Sequence, residues 1–118
     1  MEKVIIERVV QKQHLADVMK SGSLPVLATP QMIAWMEEAA CLCLDLEEGK
    51  SSVGIHMDVS HDAPSALHST ISIHAEVIEQ NERIIKYNVS AYQGKTCIGK
   101  GIHTRCIIKT DSFMQKLK

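Results

Sequence analysis

The chain has 118 residues, 45% of them hydrophobic and 23% charged, which is the makeup of one soluble globular domain with one core. Thirteen basic residues against fourteen acidic ones leave a formal net charge of −1 with no charged tail, so neither nucleic acid nor an anionic membrane surface is an expected partner. Trp35, Tyr87, Tyr92 and Phe113 are the whole aromatic complement, too few for a surface that stacks single-stranded bases.

In chain order, Val4 to Val10 reads as a first strand and His14 to Met19 as a short helical turn. The opening run from Met1 to Arg8 is too short and too charged for a signal peptide. Lys20 to Pro25 is a loop punctuated by Gly22 and Pro25. Then comes a long helix from Pro30 to about Glu48. Thr29 is placed to cap it, Pro30 suits the first helical position, and Gly49 suits the C-terminal cap. The longest apolar stretch, Ala39 to Leu44, is far below membrane-spanning length. A cytoplasmic location is therefore expected.

Strand-like alternation follows. Val53, Ile55, Met57 and Val59 share one parity, as do Ile71, Ile73, Ala75 and Val77, and then Ile85, Tyr87, Val89 and Ala91. Short connections around Asn81 and Gly94 make the later strands antiparallel neighbours. The last strand, Thr96 to Lys109, holds Gly99 and Gly101, which mark a bulge or a close backbone approach. Met114 to Lys118 is expected to fray. One strand, one long helix and four antiparallel strands imply an α+β fold. The helix is either wrapped by a sheet of about five strands, the hotdog architecture, or lies across another α+β sandwich.

Three residues stand out chemically. With about 100 degrees per helical residue, Glu37 falls about 140 degrees from Met32, between Leu44 and Cys41 inside an apolar arc. A carboxylate there needs a partner, unless it sits at the edge of the buried face. His61 shares the parity of Val53, Ile55, Met57 and Val59 and ends their strand, so it is placed to approach Glu37 as an acid/base pair. A lone histidine at a strand end is otherwise more often structural. Thr29 stands beside the open amides and the positive end of the helix dipole, where an oxyanion is stabilised. The other histidines carry weaker signals. His56 and His61 differ in parity and cannot easily share a metal, His103 has no partner in sequence, and His14, His68 and His74 read as surface or loop residues. The cysteines Cys41, Cys43, Cys97 and Cys106 lack zinc spacing and are expected as reduced, buried side chains. No metal and no cofactor are expected.

The stretch from Val26 to Glu37, VLATPQMIAWME, resembles the helix entry of the fluoroacetyl-CoA-specific thioesterases and their wider hotdog relatives. The segment from Gly54 to His61 is similar to their glycine-to-histidine strand, and Gly101 to Arg105 to part of their last strand. The order and spacing match over nearly the whole chain. The resemblance implies thioester hydrolysis by Thr29, Glu37 and His61, with Gly54 and Arg105 near the substrate. The glutamate of such enzymes either attacks the thioester or activates water, the histidine handles protons, and the threonine positions the acid. The fluoroacetyl enzyme carries phenylalanines in a lid before this motif, whereas Met19 to Leu24 holds no aromatic residue here. A small or medium acyl-CoA is therefore the expected substrate, with coenzyme A as part of it and a homodimer as the expected assembly. The competing readings are a non-catalytic acyl-CoA or small-ligand binding module and a purely structural or partner-binding domain.

Overall fold

A computed structural model describes residues 2–118. The elements run β1 (Lys3–Val9), a 3-10 turn (Lys12–His14), α1 (Ala16–Met19), α2 (Thr29–Leu42), β2 (Lys50–His61), β3 (Thr70–Asn81), β4 (Ile84–Gln93), β5 (Thr96–Lys109) and α3 (Thr110–Gln115). The strands form one five-stranded sheet in the order β1-β3-β4-β5-β2, every neighbouring pair antiparallel. The sheet is wrapped on α2, which makes this an α+β hotdog fold. No helix among the described residues is long and apolar enough to cross a membrane.

The core lies between α2 and the inner face of the sheet. Met32, Trp35, Met36, Ala39 and Ala40 on the helix meet Ile71, Ile73 and Ala75 of β3, Ile85, Tyr87 and Val89 of β4, and Ile98 of β5. Burial of each large side chain contributes roughly 1.5–3 kcal/mol, and it falls on alternate strand residues, as the period of two requires. Gly99 lets the helix sit down on the sheet. A Cβ there would meet the Ser60 carbonyl oxygen at 2.6 Å and Met32 Sδ at 2.7 Å. Met32 thus lodges over Gly99, and the bulge expected near that glycine lies at its neighbour Ile98, where β4 and β5 shift register.

Local structure departs from the sequence reading in four places. Thr29 is the first helical residue, with Ala28 at the N-cap and no side-chain capping bond. The helix ends at Leu42, not near Glu48. Cys43 is buried there, its thiol 3.6 Å from the carbonyls of Ala39 and Ala75. Beyond it, half-buried Leu44 and Leu46 alternate with exposed Asp45 and Glu47 along extended chain, and Leu44 packs against the core. Gly49, with φ of +87°, turns the chain into β2 instead of capping the helix. Residues 110–115 are helical, so the helix runs two residues into the segment expected to fray.

The fourth departure is a bulge in β2. Gly54 pairs with Arg105 and His56 with Thr104, which leaves Ile55 as the extra residue. Val53, Ile55, Met57 and Val59 therefore do not share a face. The inner face carries Ser52 and Gly54 before the bulge and Met57, Val59 and His61 after it, while Ile55 is 53% exposed. β2 is also an outer strand of the sheet, with no strand along its free side among the described residues.

Candidate functional site

The five residues singled out from sequence gather into two clusters. In the first, α2 opens at Thr29 beside the last residue of β2, and Thr29 Oγ1 lies 2.7 Å from His61 Nδ1. The hydroxyl that was expected to cap the helix is committed to the imidazole instead. Among the first amides of α2, Pro30 has no N–H, and those of Gln31 and Met32 both return to the Ala28 carbonyl, at 3.1 Å. The N–H of Thr29 has no backbone acceptor among these bonds. Both residues line an open recess of about 280 Å³, walled by α1, the chain around Leu27 and the turn from Asp62 to Pro64.

His61 is half-buried, and loss of solvent lowers its pKa below the usual histidine value, with the nearby Asp62 charge and the Ala63 backbone opposing the shift. It is neutral near pH 7 and available as a base. Its Nε2 is sealed from solvent without a hydrogen-bond partner. Such orphaned atoms are rare in folded proteins and concentrate where strain or chemistry is kept.

The second cluster lies two turns along α2, about 12 Å from the first at 1.5 Å per residue. Glu37 Oε2 is 3.7 Å from Arg105 Nη1, and the Glu37 side chain is 43% exposed. The carboxylate thus sits at the edge of the buried face rather than deep within it. Arg105, by contrast, is buried. Its Nε donates to Ser52 Oγ at 2.9 Å, its Nη2 to the Ser52 carbonyl at 3.1 Å, and its Nη1 to His103 Nε2 at 3.1 Å. Gly54 is where the three elements of the cluster, α2, β2 and β5, meet. A Cβ there would fall 2.8 Å from Glu37 Oε2, 3.2 Å from His103 Cε1 and 3.3 Å from Arg105 Nη1.

His103 is the member that sequence reasoning missed. It is 1% exposed, donates through Nδ1 to the His56 carbonyl at 2.8 Å, and stacks on Tyr87 with 5.8 Å between ring centroids. Burial lowers its pKa, the His56 carbonyl and Glu37 oppose that, and Arg105 reinforces it. The ring is neutral and holds the guanidinium facing Glu37. The available signal was its place two residues before Arg105 on one strand, which puts both on the same face. His14 and His74 also differ from expectation. Both are half-buried, His14 edge-on to Trp35 and His74 edge-on to Tyr92. Of the cysteines, all free, only Cys43 is fully buried and Cys41 is exposed, so the expectation of four buried thiols fails for Cys41.

Within one chain the expected meeting of Glu37 and His61 does not occur. Glu37 faces Arg105, His61 faces Thr29, and no ion pair joins the two among the described residues. The physical reason is the helix rise, which separates positions 29 and 37 by more than two side chains can bridge.

A family model described as fluoroacetyl-CoA-specific thioesterase matches residues 10–111. The fluoroacetyl-CoA thioesterase of Streptantibioticus cattleyicolor is 33% identical over 95 residues, covering 79% of this chain and 68% of that protein. A solved structure of the fluoroacetyl-CoA thioesterase FlK superposes with a TM-score of 0.92 at 28% identity, covering 98% of this chain and 92% of that one. A thioesterase superfamily member from Thermus thermophilus, 24% identical, shares the fold with a TM-score of 0.87 over 98% of this chain and 89% of its own.

Proposed function

The chain belongs to the fluoroacetyl-CoA-specific thioesterase family and is a thioester hydrolase of acyl-CoA; from that premise we propose that it cleaves small or medium acyl-CoA esters with Thr29, His61 and Glu37, and that a homodimer assembles the three. The observation that carries this reading is the division of the site into a Thr29–His61 half and a Glu37–Arg105–Gly54 half. Each half is built and neither is complete.

The free edge of β2 supplies the means of joining them. An antiparallel pairing of two β2 strands centred between Met57 and Asp58 sets His61 of one protomer opposite Gly54 of the other, and Gly54 abuts Glu37. It also covers the unpaired edge and the exposed Ile55. Each composite site then holds a hydroxyl–imidazole pair from one protomer and a carboxylate backed by a buried arginine from its partner.

The same three groups serve two routes. In one, the Glu37 carboxylate attacks the thioester carbon and expels the coenzyme A thiolate. Neutral His61 then takes a proton from the water that opens the acyl-glutamate anhydride, and that proton passes to sulfur. In the other, Glu37 takes the proton as water attacks the carbon, and the proton reaches the departing sulfur through His61. In both, the N–H of Thr29 is the open donor for the carbonyl oxygen as it becomes an oxyanion. Single turnover in ¹⁸O-labelled water, followed by mass analysis of Glu37, identifies the anhydride route where label enters the protein, because water attacking the glutamyl carbonyl leaves its oxygen on Glu37 and the general-base route never does. Arg105, 3.7 Å from the Glu37 carboxylate, aims it. The segment from Met19 to Leu24, without an aromatic residue, supports a small or medium acyl group rather than the fluoroacetyl group.

The test is a panel of acyl-CoA esters hydrolysed by the wild type and by Glu37→Gln. Loss of Glu37 is expected to slow turnover by about 10²-fold or more. Equal rates in the two proteins would remove Glu37 from the chemistry.

A further inference from the structure

At the far end of β2 and β5 lies a cup of about 210 Å³ that the catalytic reading leaves unused. Four cations, Lys50, Arg83, Lys109 and Lys116, surround it, Ile107 and Phe113 supply apolar wall, and no carboxylate lines it. In a chain of net charge −1 that is a marked local excess of positive charge. Lys50 is partly neutralised by Glu47 at 2.8 Å, and Glu48 and Asp111 line the adjoining depression with Lys50 and Lys109. Arg83, Lys109 and Lys116 make no ion pair among the described residues.

Three elements hold the cup in shape. The Ile107 N–H donates to the Arg83 carbonyl at 2.7 Å, tying the β3–β4 turn to β5. The Thr110 N–H donates to the Gly49 carbonyl at 2.9 Å, tying the start of α3 to the start of β2. α3 then brings half-buried Phe113 back over the strand ends.

The cup and the Glu37 cluster lie on one continuous strip. Lys50 pairs with Lys109, Ser52 with Ile107, and Gly54 with Arg105, all on the inner face of β2 and β5. Four residues of strand separate the last pair from the first, about 13 Å at 3.3 Å per residue. The pantetheine arm of coenzyme A has about a dozen bonds between sulfur and phosphate. At the per-bond advance of an extended polypeptide it spans about 15 Å. A thioester beside Glu37 therefore places its nucleotide at the cup of the same protomer.

We propose that this cup binds the 3′-phosphoadenosine diphosphate end of the substrate, its cations taking the phosphates and Phe113 facing the adenine. The inference rests on the acyl-CoA reading above and extends it to the part of the substrate that does not react. Cations at the mouth of the cup act on the phosphates as exposed charges, additive and screened by salt.

The test compares an acyl-CoA with the matching acyl-pantetheine, which lacks the nucleotide, in the wild type and in the combined variant Arg83→Ser, Lys109→Ser, Lys116→Ser. All three side chains are at least partly open to solvent, so a thermal melt near that of the wild type is expected. The KM for acyl-CoA is expected to rise roughly tenfold to hundredfold with kcat kept, while the kinetics on acyl-pantetheine stay as they were. An unchanged KM for acyl-CoA, or an equal rise for both substrates, overturns the proposal. Calorimetric titration with adenosine 3′,5′-bisphosphate keeps the two readings apart. Binding to the wild type that is lost in the variant upholds the cup even where no thioester is cleaved, and absence of binding to the wild type rejects it.

Discussion

Replacing Gly54 by alanine separates the fold from the chemistry more cleanly than any change to a reacting group. Gly54 does not occupy the left-handed region, which among the glycines holds only Gly49 and Gly94, so alanine fits the backbone. Loss of glycine's freedom in the unfolded chain stabilises the protein by about 0.4–1 kcal/mol. Against this, the new methyl stands 3.2 Å from His103 Cε1 and 3.3 Å from Arg105 Nη1. Both groups are buried and held by their own hydrogen bonds. Easing them apart by a few tenths of an ångström costs about 1–3 kcal/mol, the usual range for overpacking. The net is a loss of about 1 kcal/mol, or roughly 4 °C in Tm. The contact with Glu37 Oε2 at 2.8 Å is different, because that carboxylate ends a flexible, 43% exposed side chain and swings aside. Misplacing a reacting group by about 1 Å costs about 10²-fold in rate. A thermal melt and steady-state kinetics on one acyl-CoA therefore give a folded protein with crippled kcat. Activity within about threefold of the wild type, with an unchanged melt, would show that the position of Glu37 against Gly54 plays no part in catalysis.

Other outcomes follow from the same geometry. Thr29→Val leaves stability within about 0.5 kcal/mol, because its hydroxyl makes no capping bond, yet it lowers kcat; a loss near the 1 kcal/mol of a true N-cap in chemical denaturation refutes this. Arg105→Met strands the Ser52 carbonyl and His103 Nε2 in the interior and destabilises by about 2–5 kcal/mol, read from urea unfolding. The folded pKa values of His61 and His103 lie below 6.5 because of burial, so the unfolded chain takes up more protons as pH falls through that value. Stability is then full above pH 6.5 and declines below it, and the acid limb of kcat/KM lies below 6.5 as well. A limb above the ordinary histidine value contradicts a neutral His61. Glu37→Gln and His61→Ala chains, each inactive alone, regain roughly a quarter of wild-type activity when unfolded and refolded together in equal amounts, because half the dimers carry one intact site. Mixed chains that stay inactive speak against a site shared between protomers.

Most of the fold was legible because it rests on periodicity. Alternation in β3 and β4 placed Ile71, Ile73, Ala75, Ile85, Tyr87 and Val89 inward, and all are buried. The end of α2 was not legible, since residues 43–48 keep helical-looking composition while Leu44 reaches the core only by leaving the helix. The bulge at Ile55 was hidden for a related reason. An extra apolar residue on an alternating strand preserves the written pattern while shifting the faces. Thr29 and His61 were each singled out but not as partners, and the structure brings them to 2.7 Å. Within one chain the partner of Glu37 is Arg105, which the sequence did not show. A helical wheel shows direction around an axis, not distance along it, so the carboxylate that faces the sheet meets Arg105 rather than His61.

Thr29 and Glu37 ride on one rigid rod, and Met32, seated over Gly99, pins that rod against sliding. In the proposed pair each rod would serve as a crossbar, its first turn belonging to one reaction centre and its third to the other. A slip along its axis would pull the hydroxyl out of one centre and the carboxylate out of the other by the same amount. The two centres would then fall out of alignment together, and a change at Gly99, which itself makes no contact with substrate but pairs with His61 across β2 and β5, would be felt at both mouths at once.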